Sequence, residues 1–83
     1  MPLFLPFGIN FLVVINMKIF CERLKELRLE KKLSIVELAT ILGVRDSTIS
    51  RWENGQRIPG IDHLYNIAKF FGVSSDYLIG LED

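Results

Sequence analysis

Four side chains with hydrogen-bonding groups stand close together between Gly43 and Gly55. They are three hydroxyl residues and one basic residue: Ser47, Thr48, Ser50 and Arg51. If this segment is a short helix, these residues share a polar face, whereas Ile49 and Trp52 can face a core. Hydroxyl and guanidinium groups form hydrogen bonds with polar or anionic partners. The pattern therefore predicts a helix that lies against something polar and is held there by its apolar side.

The sequence offers little for catalysis or for binding a metal. Eighty-three residues make one domain, and they include a single cysteine, Cys21, and a single histidine, His63. One cysteine allows no internal disulfide, and one histidine removes the usual histidine clusters that bind metals. We therefore expect a protein that is not an enzyme and that uses neither a cofactor nor a metal.

Charge is unevenly distributed along the chain. The formal net charge is zero, but residues 18–57 contain nine basic and six acidic residues, a net charge of +3. Residues 58–83 contain one basic and four acidic residues, a net charge of −3. Because the field near a surface follows the local charge, a neutral chain can still present a basic face. A basic face around the polar segment 43–55 favours DNA as the partner.

Residues 1–17 differ from the rest of the chain. No charged residue precedes Lys18, and the segment is strongly apolar. A membrane span needs about 20 apolar residues. This run is shorter and is interrupted by three residues: Pro6, Gly8 and Asn10. The segment also lacks the basic leader and the small-residue cleavage site of a secretory signal. Membrane contact is therefore not favoured, and a cytoplasmic location is expected.

Two interpretations of this apolar N-terminal extension stay open. Met17-Lys18 is typical of a natural start, which makes residues 1–16 an upstream or dispensable extension. Alternatively, the segment is a short arm for dimerisation or membrane docking, and the apolar density of residues 11–15 favours a strand.

The remaining residues, 18–83, follow a helical pattern with start and stop signals. The first helix is predicted from Lys18 to Lys31, with Phe20, Leu24 and Leu27 at core spacing. Ser34 and Glu37 form a capping box at the start of the second helix. Gly43 ends that helix at about residue 42, and Val44 packs under the turn.

Three further helices are predicted after this turn. The third covers residues 46–54, and Pro59-Gly60 then interrupts the helical pattern. The fourth covers residues 61–71, with its core positions at Ile61, Leu64, Ile67, Ala68 and Phe71. Ser74 caps a short fifth helix. The sequence therefore predicts an all-α fold in which the second and third helices form a helix-turn-helix unit.

Several short motifs in this region point to one family. In chain order they are Glu37-Leu38-Ala39, Gly43-Val44, the segment 47–55 (STISRWENG), Ile58-Pro59, the segment 71–74 (FGVS) and the segment 76–78 (DYL). Together they make residues 18–83 resemble the Cro/repressor-type (XRE) helix-turn-helix family, which includes phage repressors, transcriptional regulators and antitoxins. The resemblance implies a compact five-helix, lambda-repressor-like domain.

The resemblance also implies that helix 46–54 enters the major groove of DNA. The implied base-reading residues are Arg45, Asp46, Ser47, Ser50 and Arg51. Arg51 is the strongest candidate because a guanidinium can bind guanine O6 and N7 together, and its alternative role is a phosphate contact. Asp46 could accept a hydrogen bond from cytosine, but an aspartate at this position more often caps its own helix.

Phosphate contacts are implied for residues around this helix. They are Thr48, Asn54, Gln56, Arg57 and the main-chain amide of Ile35. The family usually has a glutamine at the position of Ile35, so one side-chain contact to phosphate is lost here. Either DNA affinity is lower or Ile35, which we expect to be exposed, meets a partner protein. Arg28 and Glu53 are implied to form a partly buried structural ion pair.

The implied function is sequence-specific regulation of transcription, with repression favoured. The partner would be a double-stranded DNA operator, bound by a homodimer on an inverted repeat. The alternative is a protein-interaction module, such as an antitoxin that binds a toxin or another protein. The apolar N-terminus and Ile35 favour that alternative, and one protein could do both.

Overall fold

The computed structural model describes the backbone from residue 6 and the side chains from residue 17, in both cases to the end of the chain. Within these residues the chain forms five α-helices and no strand. The helices are α1 (Pro6–Glu30), α2 (Ile35–Leu42), α3 (Asp46–Glu53), α4 (Ile61–Phe71) and α5 (Ser75–Ile79). The predicted all-α, five-helix fold is confirmed.

Helix α1 begins at Pro6 instead of Lys18, so it includes part of the apolar N-terminal segment. The strand predicted for residues 11–15 is therefore wrong. A lone strand in an all-α domain would leave its backbone N–H and C=O groups unpaired, whereas a helix pairs them internally.

The role of the apolar segment stays a prediction. Residues 1–5 and the side chains of residues 6–16 lie outside the described part of the molecule. Across the described residues, none of the helices combines the length and apolar character needed to cross a membrane.

Local interactions fix the turn between α2 and α3. The Ser34 hydroxyl accepts a hydrogen bond from the Glu37 amide at 3.0 Å, and the Glu37 carboxylate accepts one from the Ser34 amide at 2.8 Å. At the other end of α2, Gly43 adopts a left-handed conformation with φ +71°, and the Val44 amide donates to the Ala39 carbonyl at 3.0 Å. The predicted capping box and glycine turn are both confirmed: the capping box fixes the start of α2, and the glycine turn sets the direction in which α3 leaves.

The core is built from all five helices. Each helix contributes a side chain with no exposed surface: Leu24, Leu38, Ile49, Ile67 and Leu78. Phe20, Ala39, Trp52 and Ala68 complete the buried cluster. Since α3 supplies two of these residues, its position depends on the same core that stabilises the whole domain.

Two predictions about which side chains face the core are wrong. Ile61 is 86% exposed, although its spacing places it with the core residues of α4. Ile35 was expected to be exposed, but it packs against the core, and its neighbour Val36 is 59% exposed instead. Both isoleucines are the first residue of a helix, where a side chain points back past the helix end. Its surroundings therefore depend on the preceding segment and not on helical spacing.

Candidate nucleic-acid interface

Helix α3 is held in place by its apolar side. Ile49 is fully buried and Trp52 is 2% exposed. The Trp52 ring lies 5.4 Å from the His63 ring of α4, measured between centroids, with an angle of 54° between the planes. Trp52 therefore packs between α3 and the start of α4, as expected from its position.

A buried ion pair ties the end of α3 to α1. Arg28 Nε donates to Glu53 Oε2 at 2.6 Å, and Arg28 Nη2 donates to Glu53 Oε1 at 3.0 Å. Arg28 Nη1 donates to the Leu33 carbonyl at 2.8 Å. The two side chains are only 9% and 4% exposed. The hydrogen bonds to Glu53 raise the pKa of Arg28, so the guanidinium stays charged.

The opposite side of α3 is polar and accessible. Ser47, Arg51 and Asn54 follow one another at helical spacing and are exposed, and Ser50 beside them is half-buried. Asn54 Nδ2 lies 3.5 Å from Ser50 Oγ. Within the described residues Arg51 forms neither an ion pair nor a side-chain hydrogen bond. Its five donors are therefore free for an external acceptor.

Asp46 serves its own helix. Its Oδ1 accepts a hydrogen bond from the Ser47 amide at 2.9 Å. The N-cap position itself is occupied by Arg45, whose side chain does not cap the helix. The carboxylate of Asp46 thus pairs one of the free amides in the first turn of α3, although Asp46 is not the N-cap residue itself.

The end of α3 turns sharply into the loop that carries the predicted phosphate contacts. The helix ends at Glu53, one residue earlier than predicted, and Asn54 is its C-cap. Gly55 has φ +74°, and the Gln56 amide donates to the Arg51 carbonyl at 2.9 Å. This turn leaves Asn54, Gln56 and Arg57 exposed together at one end of α3.

A groove of about 580 Å³ lies beside the N-terminal half of α3. It is lined by the α2–α3 turn, one side of α3, the following loop and the start of α4: Gly43, Val44, Arg45, Thr48, Trp52, Arg57, Ile58, Pro59, Gly60 and His63. The structure therefore brings Arg45 and Thr48 together with Arg57 in one groove.

Two residues of this structure have no counterpart among the sequence-predicted sites. His63 lines the groove. No local sequence pattern around His63 predicts this position. Arg23 of α1 donates hydrogen bonds to the carbonyls of Tyr77 and Glu82, and its guanidinium lies 4.2 Å from the centroid of the Tyr77 ring. These partners are more than 50 residues away in sequence, so helical spacing does not pair them. In the described part of the chain, no three His, Cys, Asp or Glu residues are grouped to hold a metal ion.

The fold and this exposed helix face match one protein family. A family model described as helix-turn-helix covers residues 24–78 of the chain. The chain belongs to the XRE-type helix-turn-helix family of DNA-binding transcriptional regulators. Its membership confirms the resemblance and the expectation that the domain is not an enzyme.

Individual relatives are regulators from bacteria. The chain is 36% identical over 64 residues to the uncharacterized HTH-type transcriptional regulator YobD of Bacillus subtilis. The aligned region covers 77% of this chain and 57% of YobD. It is 41% identical over 64 residues to the HTH-type transcriptional activator BcrR of Enterococcus faecalis, covering 77% of this chain and 31% of BcrR.

A third relative is the cryptic phage CTXphi transcriptional repressor RstR of Vibrio cholerae. It is 33% identical over 54 residues, covering 65% of this chain and 49% of RstR. The chain thus spans between 31% and 57% of the length of these relatives. No solved structure matches the chain.

Proposed function

We propose that this protein is a sequence-specific regulator of transcription that places α3 in the major groove of double-stranded DNA. The observation that carries this proposal is the unpaired, exposed Arg51 on a helix that is fixed from behind by Trp52 and by the Arg28–Glu53 pair. A reading helix must be rigid, because hydrogen bonds to base edges tolerate little misplacement. The names of the relatives support the regulatory role.

The roles of the side chains follow from their positions on and around α3. Ser47, Ser50 and Arg51 lie on or beside the exposed face and are the base-reading candidates, with Asp46 at its edge. Phosphate contacts are assigned to Thr48, Asn54, Gln56, Arg57 and the main-chain amide of Ile35. That amide is at the first position of α2, where a helix leaves its N–H groups without partners.

We further propose repression by a homodimer on an inverted repeat. Helix α3 has eight residues and can contact only a few base pairs, so two half-sites about one helical turn apart are needed for a specific site. Occupying an operator is sufficient to block a promoter, and a DNA-binding domain alone can do this. RstR is named a repressor, whereas BcrR is named an activator, so the direction of regulation is a separate question for experiment.

The test begins with duplexes selected from a random pool, followed by titration of the selected site against salt. We expect affinity to fall steeply between about 50 and 200 mM salt, because several phosphate contacts release counterions. Arg51→Ala should cost about 1–3 kcal/mol of binding free energy and relax the preference at one base pair.

Lys69→Ala is the matched control because it removes one exposed positive charge from α4, outside the groove and the α3 face. It should change affinity little. A binding curve without salt dependence, or equal behaviour of the two variants, would contradict the proposal.

A protein-interaction role is the second candidate. Ile35 does not support it, since that side chain is packed, but Val36 and Ile41 on α2 are 59% and 47% exposed. An antitoxin-like module would use such a surface to bind a toxin or another protein. A partner that co-purifies in a fixed ratio, from a protein that does not retard any selected duplex, would decide for this role.

A further inference from the structure

The groove beside α3 has an unusual set of charges. Three of its lining side chains are basic, namely Arg45, Arg57 and His63, and none of its lining residues is acidic. The hydroxyl residue Thr48 also lines it. One arginine belongs to the α2–α3 turn and the other to the loop after α3. A concave site with several positively charged residues, a hydroxyl group and N–H donors suits a phosphate group.

His63 lines the same groove, and its ring nitrogens are accessible. The side chain is half-buried, packs against Trp52 and forms no hydrogen bond with any described residue. No buried side-chain nitrogen or oxygen in the described part of the chain lacks a hydrogen-bond partner. Since the ring nitrogens of His63 have no such partner, they are not buried and reach the solvent of the groove.

Arg45 lines the groove at the start of α3. It is the N-cap residue of α3, its side chain makes no capping contact, and it shares the groove with Thr48 and Trp52. Residues 45, 48 and 52 follow helical spacing along α3. A guanidinium in this groove suits a charge-assisted contact with phosphate.

We propose that the groove holds a backbone phosphodiester of the operator between Arg45 and Arg57, an inference that rests on the proposed DNA-binding function. His63 supplies a third, pH-dependent contact to the same phosphate. This assigns Arg45 a sequence-independent role and makes DNA affinity sensitive to pH through the single histidine of the chain.

The direction of the pH effect follows from the charges around His63. An imidazole gains a positive charge as pH falls through the range from about 8 to 5, and a bound phosphate favours the charged form. The charged groups facing His63 across the groove are Arg45 and Arg57, and Asp62 precedes it on α4. Guanidinium and carboxylate groups normally keep their charge between pH 6 and 8. Affinity should therefore rise as pH falls, and His63 alone in this cluster should be responsible.

The experiment measures dissociation constants of the full chain with its selected duplex at pH 6 and pH 8 and constant ionic strength. We expect wild type to bind roughly twofold to fivefold more tightly at pH 6, the size of one solvent-exposed ionic contact. His63→Gln should remove this difference, whereas Arg51→Ala should bind more weakly at both pH values and keep it. Arg45→Ala should weaken binding about equally for all sequences, in contrast to the altered preference of Arg51→Ala.

A second measurement needs no variant. The chain has one histidine, so its ring protons give a single set of NMR signals that can be followed against pH with and without duplex. We expect the pH dependence of these signals to change when DNA is bound.

The outcomes separate this inference from the proposed function. Wild type that binds DNA with no pH effect, with no movement of the histidine titration, would overturn the phosphate groove and leave the regulator intact. A response of the histidine to inorganic phosphate but not to duplex would also overturn it, because the groove would then be a site for free phosphate. Absence of DNA binding at both pH values would overturn both proposals.

Discussion

At the scale of single residues, Arg28 has the greatest structural consequence. Its guanidinium uses three nitrogens, two toward Glu53 and one toward the Leu33 carbonyl, and so connects α1 with the end of α3 and with the segment before α2. Because the hydrogen bonds to Glu53 raise the pKa of Arg28, its stabilising contribution is lost only above that raised pKa. The positive partner of the pair therefore persists over the whole pH range in which the domain is studied.

We expect Arg28→Ala and Glu53→Ala each to lower the free energy of unfolding by about 3–5 kcal/mol, because each leaves a buried charge without its partner. The double variant should lose less than the sum of the two. Urea denaturation of the four proteins measures this coupling. Lys25→Ala is the control, since Lys25 is an exposed cation on the same helix and should change stability by about 0.5 kcal/mol or less. Additive losses would show that the two residues act independently.

The sequence was sufficient to predict the contacts of some residues and not those of others. The pairing of Arg28 with Glu53, 25 positions apart, was available only through resemblance to a family. The contact of Arg23 with Glu82 was not available at all, because it depends on how α5 packs against α1. The position of His63 in the groove could not be predicted for the same reason, because it depends on how α4 packs against α3.

At the scale of elements, two turns of the domain are nearly identical. Gly43 has φ 71° and ψ 31° after α2, and Gly72 has φ 70° and ψ 31° after α4. In both, the next residue is a valine whose amide donates at 3.0 Å to an alanine carbonyl, Ala39 in one and Ala68 in the other. One turn directs α3 and the other directs α5, so only the first bears on DNA binding.

Replacing each glycine tests this difference. Gly43→Ala and Gly72→Ala should each destabilise the domain by about 1–2 kcal/mol, the cost of a left-handed conformation for a residue with a Cβ. An added Cβ meets no atom within 4 Å at either position, so steric contact adds nothing to that cost.

Only Gly43→Ala should lower DNA affinity, because it lies directly before α3. Urea denaturation measures the loss of stability, and duplex titration measures the loss of DNA affinity. Gly43→Asn is the milder substitution, because asparagine tolerates the left-handed conformation better than alanine. Equal DNA affinities for Gly43→Ala and Gly72→Ala would contradict the role of the turn in aiming α3.

Local signals explain why the limits of α2 and α4 were predicted well. The capping box at Ser34 and Glu37 and the glycine turns act within a few residues, and α4 has the predicted limits. The first residues of helices were predicted less well, because the surroundings of Ile35 and Ile61 depend on the segments before them. Residues 11–15 were predicted as a strand from their apolar density, but they belong to α1, which pairs their backbone N–H and C=O groups.

At the scale of the whole molecule, the predicted domain begins at residue 18, after the apolar N-terminal segment. The buried hydrophobic side chains extend from Phe20 to Leu78, and the family match covers residues 24–78. We expect a chain that starts at Met17 to keep its free energy of unfolding within about 1 kcal/mol, since the lost residues are terminal. Circular dichroism with urea measures this.

The same truncated chain tests the two interpretations of the apolar segment. A dispensable extension predicts unchanged DNA affinity and unchanged oligomeric state by analytical ultracentrifugation. A dimer arm predicts dissociation of the dimer, and a membrane-docking arm predicts that sedimentation with vesicles is lost on truncation. Unfolding of the truncated chain would contradict the placement of the domain boundary at residues 17 and 18.

The three-way contact of Arg28 also constrains how this sequence can diverge. An ion pair that touches nothing else can reverse its polarity over generations, since exchanging the two charges restores the attraction. Here an acidic side chain at position 28 would leave the Leu33 carbonyl without its donor, because a carboxylate can only accept hydrogen bonds. A lineage could therefore invert the pair only by also supplying a new donor to the segment that leads into α2. The polarity of this pair is thus coupled to the path of the backbone that leads into α2.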